Sequence, residues 1–378
     1  MTLTKKFTRG LQEVPIEVNR LLRGYYPAFV TKERATPSCD EVPVFMFHSV
    51  DEPTFHQQLE YLRTNNYATL SLHDFMAFLR GELRLRQPSV LLTFDDGEKS
   101  WYRVVYPLLK AYGYQAVFFV VPAYILEQPA KAQGKGWLAW PELREMEASG
   151  VADIQSHSYY HDRIFTGPEL VDFYHPGFGA SGLRLDIPWI GEGETYTNRL
   201  PLGTPIYKNK PRLAGNLRYL DDERLREACT AFIEEQGGTD FFARPTWRKD
   251  LEQVYRQHRR GRPAKYESPD EQRARILENF TRAKEVIEER LGKSVEHFCY
   301  PNGAGSPLAV SLSQQAGYQS NFWVAPGVRG TNRACDSPYY IPRLKDDYLF
   351  RIPGRGRVPL LKIFQRKLGR RAGTLDLY

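Results

Sequence analysis

Long hydrophobic runs are missing from this chain of 378 residues. Nowhere does it contain the roughly 18 consecutive apolar residues that a membrane-spanning helix requires. The first thirty residues carry Lys5, Lys6 and Arg9, but no apolar segment follows them, so the sequence shows no secretory signal of the usual form. We therefore expect a globular protein of the cytoplasm.

Cysteine is scarce as well. The four cysteines, Cys39, Cys229, Cys299 and Cys335, show no C-x-x-C spacing. This distribution argues against both a zinc knuckle and a dense disulfide framework. Buried, reduced thiols are the simplest interpretation.

Most of the chain lacks any excess of charge. The net charge is +7, yet residues 351–378 alone carry eight basic side chains and one acidic one. The remaining residues, 1–350, are therefore neutral in total. A neutral body has no general affinity for polyanions, so we expect no nucleic-acid partner.

The basic C-terminal segment has an amphipathic pattern. Within residues 358–373, Leu361, Phe364 and Leu368 share one helical face, and basic side chains occupy another. Such a segment can lie on an anionic membrane surface, so we predict peripheral membrane contact through residues 351–378. Packing against the rest of the protein explains the same pattern equally well.

From about Val42, short apolar strands alternate with helical patterns. The strands are predicted near residues 43–50, 67–70, 89–94, 116–121, 152–156, 297–300 and 320–325. This alternation favours a parallel sheet with helices outside it, either doubly wound or closed as a barrel. In both architectures the chemistry lies in loops at the C-terminal ends of the strands.

Residues 162–267 interrupt this alternation. They are rich in glycine, proline and aromatic residues, and they contain one clear helical pattern over Asp221–Gln236. Long intervals without regular structure are usually either functional or disordered. We predict an inserted cap or subdomain rather than a separate domain.

Two adjacent carboxylates, Asp95 and Asp96, directly follow a predicted strand and precede Gly97. The two side chains can point in different directions, so that one binds a metal while the other accepts a proton. Because aspartate and glycine are also favoured turn residues, an ordinary turn explains this segment equally well when it is taken alone.

Two histidines, His157 and His161, follow the strand predicted at 152–156. If this segment is helical, residues four apart lie on one face, which is a spacing used to bind zinc. Only eight histidines occur in the chain, although two of them could fall together by chance. Two imidazoles and one carboxylate supply the three protein ligands of a catalytic zinc site.

A third segment, Tyr300-Pro301-Asn302-Gly303, ends another predicted strand. A turn of this composition can expose backbone N–H groups that stabilise an oxyanion. Taken alone, however, an ordinary turn is the better interpretation.

In this order, the three segments resemble the motifs of the polysaccharide deacetylase family, also known as NodB homology or carbohydrate esterase family 4. The resemblance covers roughly residues 42–161 and 268–344. It implies an α/β fold, a distorted (β/α) barrel with a large insertion. The implied organisation is a basic N-terminal extension (1–41), a deacetylase domain (42–350) with its insertion at about 162–267, and the basic tail (351–378).

The resemblance also implies roles for the matching residues. Asp96, His157 and His161 would hold a divalent metal, most often zinc, and Asp95 would be the general base. The backbone near Asn302 would stabilise the oxyanion. The implied reaction removes N-acetyl groups from an acetylated amino sugar in a polysaccharide, oligosaccharide or lipid-linked glycan, and it releases acetate.

The third motif departs from the commoner Arg-x-Pro-Tyr form, because Cys299 stands in the place of the arginine and Asn302 in the place of the tyrosine. Tyr-Pro-x-Gly is closer to the poly-N-acetylglucosamine deacetylase branch, in which this arginine partner of the base is absent. We expect Tyr300, Pro301 and Arg343 to contact the substrate.

The usual Leu-x-His motif is missing too, since no histidine follows His297. The same branch carries a histidine on an early strand instead, which makes His48 the candidate general acid. A hydrogen-bonded core histidine is the alternative. The changed motifs also leave open a carbohydrate-binding protein with lapsed catalysis on the same scaffold, although the intact Asp95, Asp96 and paired histidines favour an enzyme.

Overall fold

Strands and helices alternate through most of the computed structural model, which describes residues 19, 23–130, 136–179, 183–259, 261, 263–324 and 330–371. In chain order its strands are β1 (Glu41–Val42), β2 (Val44–Phe47), β3 (Ala68–Thr69), β4 (Ser89–Asp96), β5 (Ala116–Val120), β6 (Ala152–Ser156), β7 (Arg163–Phe173), β8 (Pro205–Pro211), β9 (Tyr219–Leu220), β10 (Lys265–Tyr266), β11 (His297–Cys299), β12 (Ser320–Val324), β13 (Asn332–Arg333) and β14 (Ile341–Lys345). Its α-helices are α1 (Ala28–Thr31), α2 (Glu52–Thr64), α3 (Leu72–Leu79), α4 (Tyr106–Tyr112), α5 (Trp140–Ala148), α6 (Glu223–Glu235), α7 (Trp247–Arg259), α8 (Pro269–Leu291), α9 (Pro307–Gln315) and α10 (Leu360–Arg371). A π-helix, Trp101–Val105, directly precedes α4.

These elements form two compact units. The barrel unit comprises the described residues up to 160, residues 279–305 and those from 310 onward. The insertion unit comprises residues 161–278 and 306–309. The insertion predicted at 162–267 falls inside the insertion unit.

Seven parallel strands of the barrel unit close into a barrel. Their order is β2, β14, β12, β11, β6, β5 and β4, and β4 pairs again with β2. Closure decides between the two architectures that the alternation allowed, and the expected (β/α) barrel is confirmed. The sequence did not predict β14, because Pro342 lies inside it and proline is rare within a paired strand.

Alternate residues of the barrel strands face its interior. Apolar side chains from six of the seven strands join one core cluster with residues of α3: Val44, Leu91, Val117, Phe119, Cys299, Phe322 and Ile341. The same face of β4 continues from Leu91 through Thr93 to Asp95, and the same face of β14 continues from Ile341 to Arg343. Thr93, Asp95 and Arg343 therefore lie on the interior faces of their strands, beyond the apolar cluster and nearer the C-terminal ends of the strands.

The opposite face of β4 packs against aromatic rings. Phe94 stacks between Phe47 of β2 and Phe118 of β5, with ring centroids 4.8 Å apart in each pair. Phe55 and Trp101 meet the ring of Phe94 edge-on. Each such pair adds about 0.5–1.5 kcal/mol beyond simple burial, so this layer fixes the end of β4 directly before the two carboxylates.

The insertion unit has its own apolar core. A long antiparallel pair, β7 and β8, contributes Phe165 and Tyr207, and the two helices α6 and α7 contribute Cys229 and Leu251. The sequence predicted α6 to within two residues at each end. It did not predict α7, because most side chains of that helix are charged or polar and only Leu251 and Tyr255 are buried.

The basic C-terminal segment packs in part against the barrel unit. Arg351 is fully buried and donates hydrogen bonds to the backbone carbonyls of Val30 and Lys32. In α10, Ile363 is fully buried whereas the side chain of Leu361 is 70% exposed. Some of the basic residues predicted to face a membrane therefore have structural partners instead.

Several expectations fall outside the described residues. These are residues 1–18 and 20–22 of the predicted N-terminal extension, and the side chains of Leu368 and the residues that follow it in the tail. Within the described ranges, no helix combines the length and the apolar character that spanning a bilayer requires.

All four cysteines are free thiols. Cys229 and Cys299 are buried, as expected. The expectation of burial is wrong for Cys335, which is exposed, and for Cys39, which is half-buried.

Candidate active site

Asp95 ends the interior face of β4, and its carboxylate is held by an arginine. Arg343 Nη1 donates to Asp95 Oδ1 at 2.7 Å, and Arg343 Nη2 donates to Asp95 Oδ2 at 2.6 Å. Arg343 Nη1 also donates to Thr93 Oγ1 at 3.0 Å. Burial by itself would raise the pKa of Asp95, but the guanidinium of Arg343, together with positive charge on the neighbouring histidines, outweighs burial and holds that pKa below its ordinary value. Asp95 is therefore an ionised carboxylate with a fixed orientation.

The role of Arg343 corrects two expectations. Its side chain is fully buried and both of its terminal nitrogens donate to Asp95 or Thr93, so the structure does not support the predicted contact with a substrate. The third motif supplies no arginine for Asp95, yet β14 brings one to the same carboxylate. The available sequence signal was a charged residue inside the apolar segment Tyr340–Leu344, which is unusual in a buried strand.

Asp96 adopts a backbone conformation that redirects its side chain. Consecutive residues of a regular strand point to opposite faces, but the φ of Asp96 is +93°, which breaks the alternation. Gly97 follows with a φ of +103°, and a Cβ there would lie 2.7 Å from Ile125 Cδ1, so this turn requires glycine. Asp96 Oδ1 lies 3.4 Å from His157 Nε2.

His157 directly follows β6 and is fully buried. Its Nδ1 lies 2.9 Å from the carbonyl oxygen of Cys299. Because a carbonyl oxygen only accepts, Nδ1 carries the hydrogen, and Nε2 of the neutral ring presents its lone pair towards Asp96. This arrangement is typical of a histidine that binds a metal through Nε2.

The surroundings of His157 favour a positive charge. Burial lowers the pKa of its imidazole, but the neighbouring Cys299, Asp95 and Asp96 outweigh burial and raise it above the ordinary value. Because burial raises the pKa of the Cys299 thiol, the carboxyl groups of Asp95 and Asp96 are the neighbours that favour a positive charge on the ring. A proton or a bound cation can therefore neutralise the two carboxylates at this position.

His161 meets His157 and Asp96 through an irregular loop. The expected helical face does not form, because the residues after β6 are not helical and both Ser158 (φ 67°) and His161 (φ 51°) are left-handed. Even so, one ligand atom from each of Asp96, His157 and His161 lies within 4.8 Å of the others. The three predicted ligands therefore converge, although the loop is not the helical turn that the spacing suggested.

The donor set fits a divalent metal. One carboxylate and two imidazoles are the ligand types that zinc uses in catalytic sites, and three protein ligands leave a position for water. All three side chains are buried, which excludes bulk solvent from the ligands. A second group of possible ligands, Asp95, His157 and Cys299, is equally compact. We discount it because Arg343 occupies both oxygens of Asp95 and burial raises the pKa of the Cys299 thiol.

His48 lies beside Asp95. It directly follows β2, whose last residue Phe47 is paired with Phe94 of β4, so His48 and Asp95 are the next residues along adjacent parallel strands. A charged His48 is near enough to contribute to the lowered pKa of Asp95. Trp101 Nε1 donates to the carbonyl oxygen of His48 at 3.0 Å, which anchors its backbone.

The third motif lies at the end of β11, but its side chains are placed differently from expectation. Tyr300 is fully buried, its ring lies 4.2 Å from that of Trp323, and its hydroxyl accepts a hydrogen bond from Asn321 at 3.1 Å. Pro301 is buried as well. Tyr300 alternates with the interior residue Cys299 and faces away from the site, so its predicted contact with a substrate is not supported. The burial of Pro301 leaves little of its ring accessible for the same predicted role.

Asn302 lies in the turn that follows β11, and its predicted role stays a prediction. It is exposed and left-handed, with a φ of 55°, in the short 3₁₀ turn Pro301–Gly303 that follows β11. The turn is at the same end of the barrel as Asp95 and His157. A Cβ at Gly303 would lie 2.5 Å from Val324 Cβ, so this turn also requires its glycine.

Comparisons with known proteins agree with this geometry. Residues 83–172 match the family model described as polysaccharide deacetylase. Over 129 residues the chain is 31% identical to the poly-β-1,6-N-acetyl-D-glucosamine N-deacetylase of Escherichia coli K12, a match that covers 32% of this chain and 19% of that protein.

Two solved structures share the fold. The deacetylase domain of BpsB from Bordetella bronchiseptica aligns with a TM-score of 0.54 and 19% identity, over 82% of this chain and 98% of that one. A de-N-acetylase from Aggregatibacter actinomycetemcomitans aligns with a TM-score of 0.52 and 22% identity, over 81% of this chain and 94% of that one. The resemblance and the barrel fold inferred from the sequence are confirmed.

Proposed function

We propose that this chain is a metal-dependent hydrolase that removes N-acetyl groups from an acetylated amino sugar in a polysaccharide, oligosaccharide or lipid-linked glycan, with release of acetate. One observation carries the proposal. Asp96, His157 and His161 place their ligand atoms within 4.8 Å of one another, and Asp95 lies beside them as a separate, arginine-held carboxylate. The named activity of the E. coli relative supports the same reaction.

Asp96, His157 and His161 would hold the metal, and zinc suits this donor set best. When bound, such a metal lowers the pKa of a coordinated water and polarises a carbonyl group. The protein contributes the orientation of the ligands. The hydrogen bond from His157 Nδ1 to the carbonyl of Cys299 fixes the ring, so that Nε2 remains the ligand atom.

Asp95 would act as the general base. Arg343 keeps it ionised and uses one lone pair on each carboxylate oxygen. The single S–H of Cys299, whose sulfur lies 3.7 Å from both oxygens, can use only one more, so at least one lone pair remains. Asp95 can therefore accept the proton of the attacking water without leaving Arg343. The two parallel hydrogen bonds keep the carboxylate in one orientation, which general base catalysis requires.

His48 would act as the general acid. When the amide C–N bond is cleaved, the amine nitrogen is too basic to leave without a proton. An imidazolium can donate that proton. The position of His48 next to Asp95 on adjacent strands supports this assignment. The backbone N–H near Asn302 would stabilise the oxyanion from the neighbouring strand end.

Two substitutions separate the proposed roles. Asp96→Asn should lose bound metal and acetate release together, because it removes a ligand. Asp95→Asn should retain the metal but lower turnover by roughly 10²–10⁴-fold, the usual contribution of a general base. Asp153→Asn is a matched control, since Asp153 lies on β6 and pairs with Lys293 at the surface.

The measurements are metal content by mass spectrometry and acetate release from acetylated glucosamine oligomers. A wild-type protein that binds metal and the sugar but releases no acetate would establish the lapsed carbohydrate-binding alternative. Near-normal turnover in Asp95→Asn would contradict the assignment of the base. The buried pairing of Asp95 with Arg343 favours the enzyme, because it keeps an oriented, ionised carboxylate beside the three candidate metal ligands.

Peripheral contact with an anionic membrane on its cytoplasmic face, through residues 351–378, is a further part of the proposal. In α10, the outward side chains include Leu361, Lys362 and Arg366. Each basic residue near an anionic surface adds about 1 kcal/mol to binding. Sedimentation with phosphatidylserine vesicles should weaken in the double variant Lys362→Glu/Arg366→Glu. Equal binding by wild type and variant would contradict membrane contact through α10.

A further inference from the structure

The loop between the two candidate histidine ligands is held at its midpoint. Tyr159 lies two residues from each of His157 and His161. Its backbone N–H donates to Asn279 Oδ1 at 2.7 Å, and its carbonyl accepts from the N–H of Ala123 at 3.1 Å. Both backbone groups are therefore bound by other parts of the barrel unit rather than by the loop itself.

Asn279 is an unusual residue for its position. It lies inside the 23-residue helix α8, where asparagine is a poor helix former, and it is only 4% exposed. Its neighbours along the buried face of the helix, Phe280, Ala283 and Ile287, are apolar and fully buried. A buried amide costs free energy unless it is hydrogen-bonded, so the bond to Tyr159 offsets that cost.

The loop requires such support. Ser158 and His161 both adopt left-handed backbone conformations, at φ 67° and 51°. Non-glycine residues in this region cost about 1 kcal/mol or more each and persist only where surrounding contacts hold them. The residues on either side of Tyr159 would otherwise relax, and the two imidazoles would separate.

The same turn of α8 contacts the loop a second time. Arg282 is three residues after Asn279 and shares its helical face. Its Nη1 donates to the Tyr160 hydroxyl at 2.6 Å, and its guanidinium lies 4.1 Å from the centre of the Tyr159 ring. One helical turn thus fixes both the backbone and the side chains of the loop.

We propose that Asn279 is a positioning residue for the metal site, which holds Tyr159 so that His157 and His161 converge. This inference rests on the proposed function, because it assigns to Asn279 a role towards the metal that these histidines would bind. The interaction is specific in its chemistry. Only a hydrogen-bond acceptor at this position can satisfy the N–H of Tyr159.

The test compares an acceptor with an apolar side chain of similar volume. Asn279→Leu retains the packing of α8 but leaves the Tyr159 N–H without an acceptor, and Asn279→Asp restores an acceptor. Loss of a partner of this kind typically weakens metal binding about 10–100-fold. We expect that loss in Asn279→Leu, and we expect the affinity of Asn279→Asp to be within about threefold of wild type. The readout is the Zn²⁺ dissociation constant measured by competition with a chromogenic chelator.

Ile287→Ala is the control for a purely structural effect. Ile287 is fully buried on the same helix, two turns from Asn279, and its truncation should lower the urea midpoint without changing the zinc affinity. If Asn279→Leu does not fold, Asn279→Ala replaces it as the variant without an acceptor. It is then compared with Asn279→Asp, again with Ile287→Ala as the control. Equal zinc affinities in the folded wild type and Asn279→Leu would overturn the inference. Equal weakening in Asn279→Leu and Asn279→Asp would also overturn it.

These outcomes remain distinct from failure of the proposed function. If the wild-type protein binds no zinc, and His157→Ala and wild type are indistinguishable in the chelator assay, the metal site itself is refuted. If wild type binds zinc and His157→Ala does not, the site stands, and the Asn279 variants alone decide the positioning role.

Discussion

Arg343 holds Asp95 through two parallel hydrogen bonds, although 248 residues separate them in sequence. Their strands, β14 and β4, are not neighbours in the barrel, because β2 lies between them. Two strand spacings amount to roughly 10 Å, so only a long side chain that crosses the interior can reach. An arginine meets both requirements, since it is long and its planar fork matches a carboxylate.

Removing Arg343 should change the pH dependence of catalysis. The guanidinium holds the pKa of Asp95 below its ordinary value, so Arg343→Met should raise that pKa and leave Asp95 protonated up to a higher pH. The acidic limb of the kcat/KM profile should therefore move to higher pH. The unpaired buried carboxylate should also cost about 3–5 kcal/mol of unfolding free energy. Arg343→Lys keeps the charge and should show a smaller shift.

Arg351 provides the matched control for this prediction. It is another fully buried arginine of the barrel unit, but it donates mainly to backbone carbonyls, and its contact with a carboxylate is a 3.5 Å approach to the exposed Glu33. Arg351→Met should destabilise the protein and leave the acidic limb in place. An unchanged limb in both Arg343 variants would contradict the role of Arg343 in setting the pKa of Asp95.

The parts of the site that the sequence predicted are those that lie within single segments. Asp95 and Asp96 end one strand, and His157 and His161 follow another, so short patterns were sufficient to single them out as candidates. Arg343 was assigned to the substrate because its partner is distant in sequence, and no local pattern reports a contact across a barrel.

Local arguments also misjudged which side chains reach the substrate. Tyr300 was expected there because it belongs to a recognised motif. Its neighbour Cys299 faces the barrel interior, and strict alternation along β11 then turns Tyr300 outward. The strand β14 was not predicted either, because Pro342 lies inside it. Its parallel pairing with β12 and β2 is a long-range contact that a local sequence pattern does not show.

Thiol labelling should divide the cysteines into two classes. Cys335 is exposed and Cys39 is half-buried, whereas burial raises the pKa of Cys229 to about 12 and also raises that of Cys299. The thiolate is the reactive form, so about two thiols per chain should react quickly with Ellman's reagent at pH 8. The other two should react only after denaturation. Acetate release should survive the fast phase, because Cys299 beside Asp95 stays protected.

Cys335→Ser tests this division directly. It should remove one thiol from the fast phase and leave the slow phase unchanged. Rapid modification of Cys299, located by peptide mass spectrometry, would contradict the burial of the third motif.

His297 should make the protein less stable in mild acid. Burial lowers the pKa of this histidine to about 4, from an ordinary value near 6.5. Between these two pKa values, the unfolded chain binds a proton at His297 and the folded protein does not. The contribution of His297 to the free energy of unfolding is therefore complete above pH 6.5 and is lost as the pH falls towards 4. Between pH 7 and pH 5 the loss should be about 2 kcal/mol.

His297→Gln isolates that contribution, because glutamine does not titrate and can still bond to the Ser320 hydroxyl, which lies 2.7 Å from His297 Nδ1. Urea unfolding at pH 7 and pH 5 should show a smaller loss for the variant than for wild type. Parallel losses in the two proteins would show that His297 titrates normally in the folded state.

Gly97 should be more sensitive to alanine than a glycine in open space. At Gly97 the φ is +103° and a new Cβ would lie 2.7 Å from Ile125 Cδ1, so Gly97→Ala should cost about 2–4 kcal/mol of unfolding free energy. Gly113 ends α4 with a φ of +67°, and a Cβ there would meet no atom within 4 Å. Gly113→Ala should therefore cost only about 1 kcal/mol, the conformational penalty alone.

The two variants should also differ at the site. Gly97 is next to Asp96, so a backbone change that relieves an alanine at a φ of +103° moves a metal ligand, and Gly97→Ala should weaken zinc binding as well as folding. Gly113→Ala should leave the zinc affinity unchanged. Urea midpoints and chelator competition on both proteins measure the two effects separately. Suppose instead that both variants lose the same stability and bind zinc equally well. The turn at Gly97 would then not determine the position of Asp96, and the positive φ of Gly97 would have no role in assembling the site.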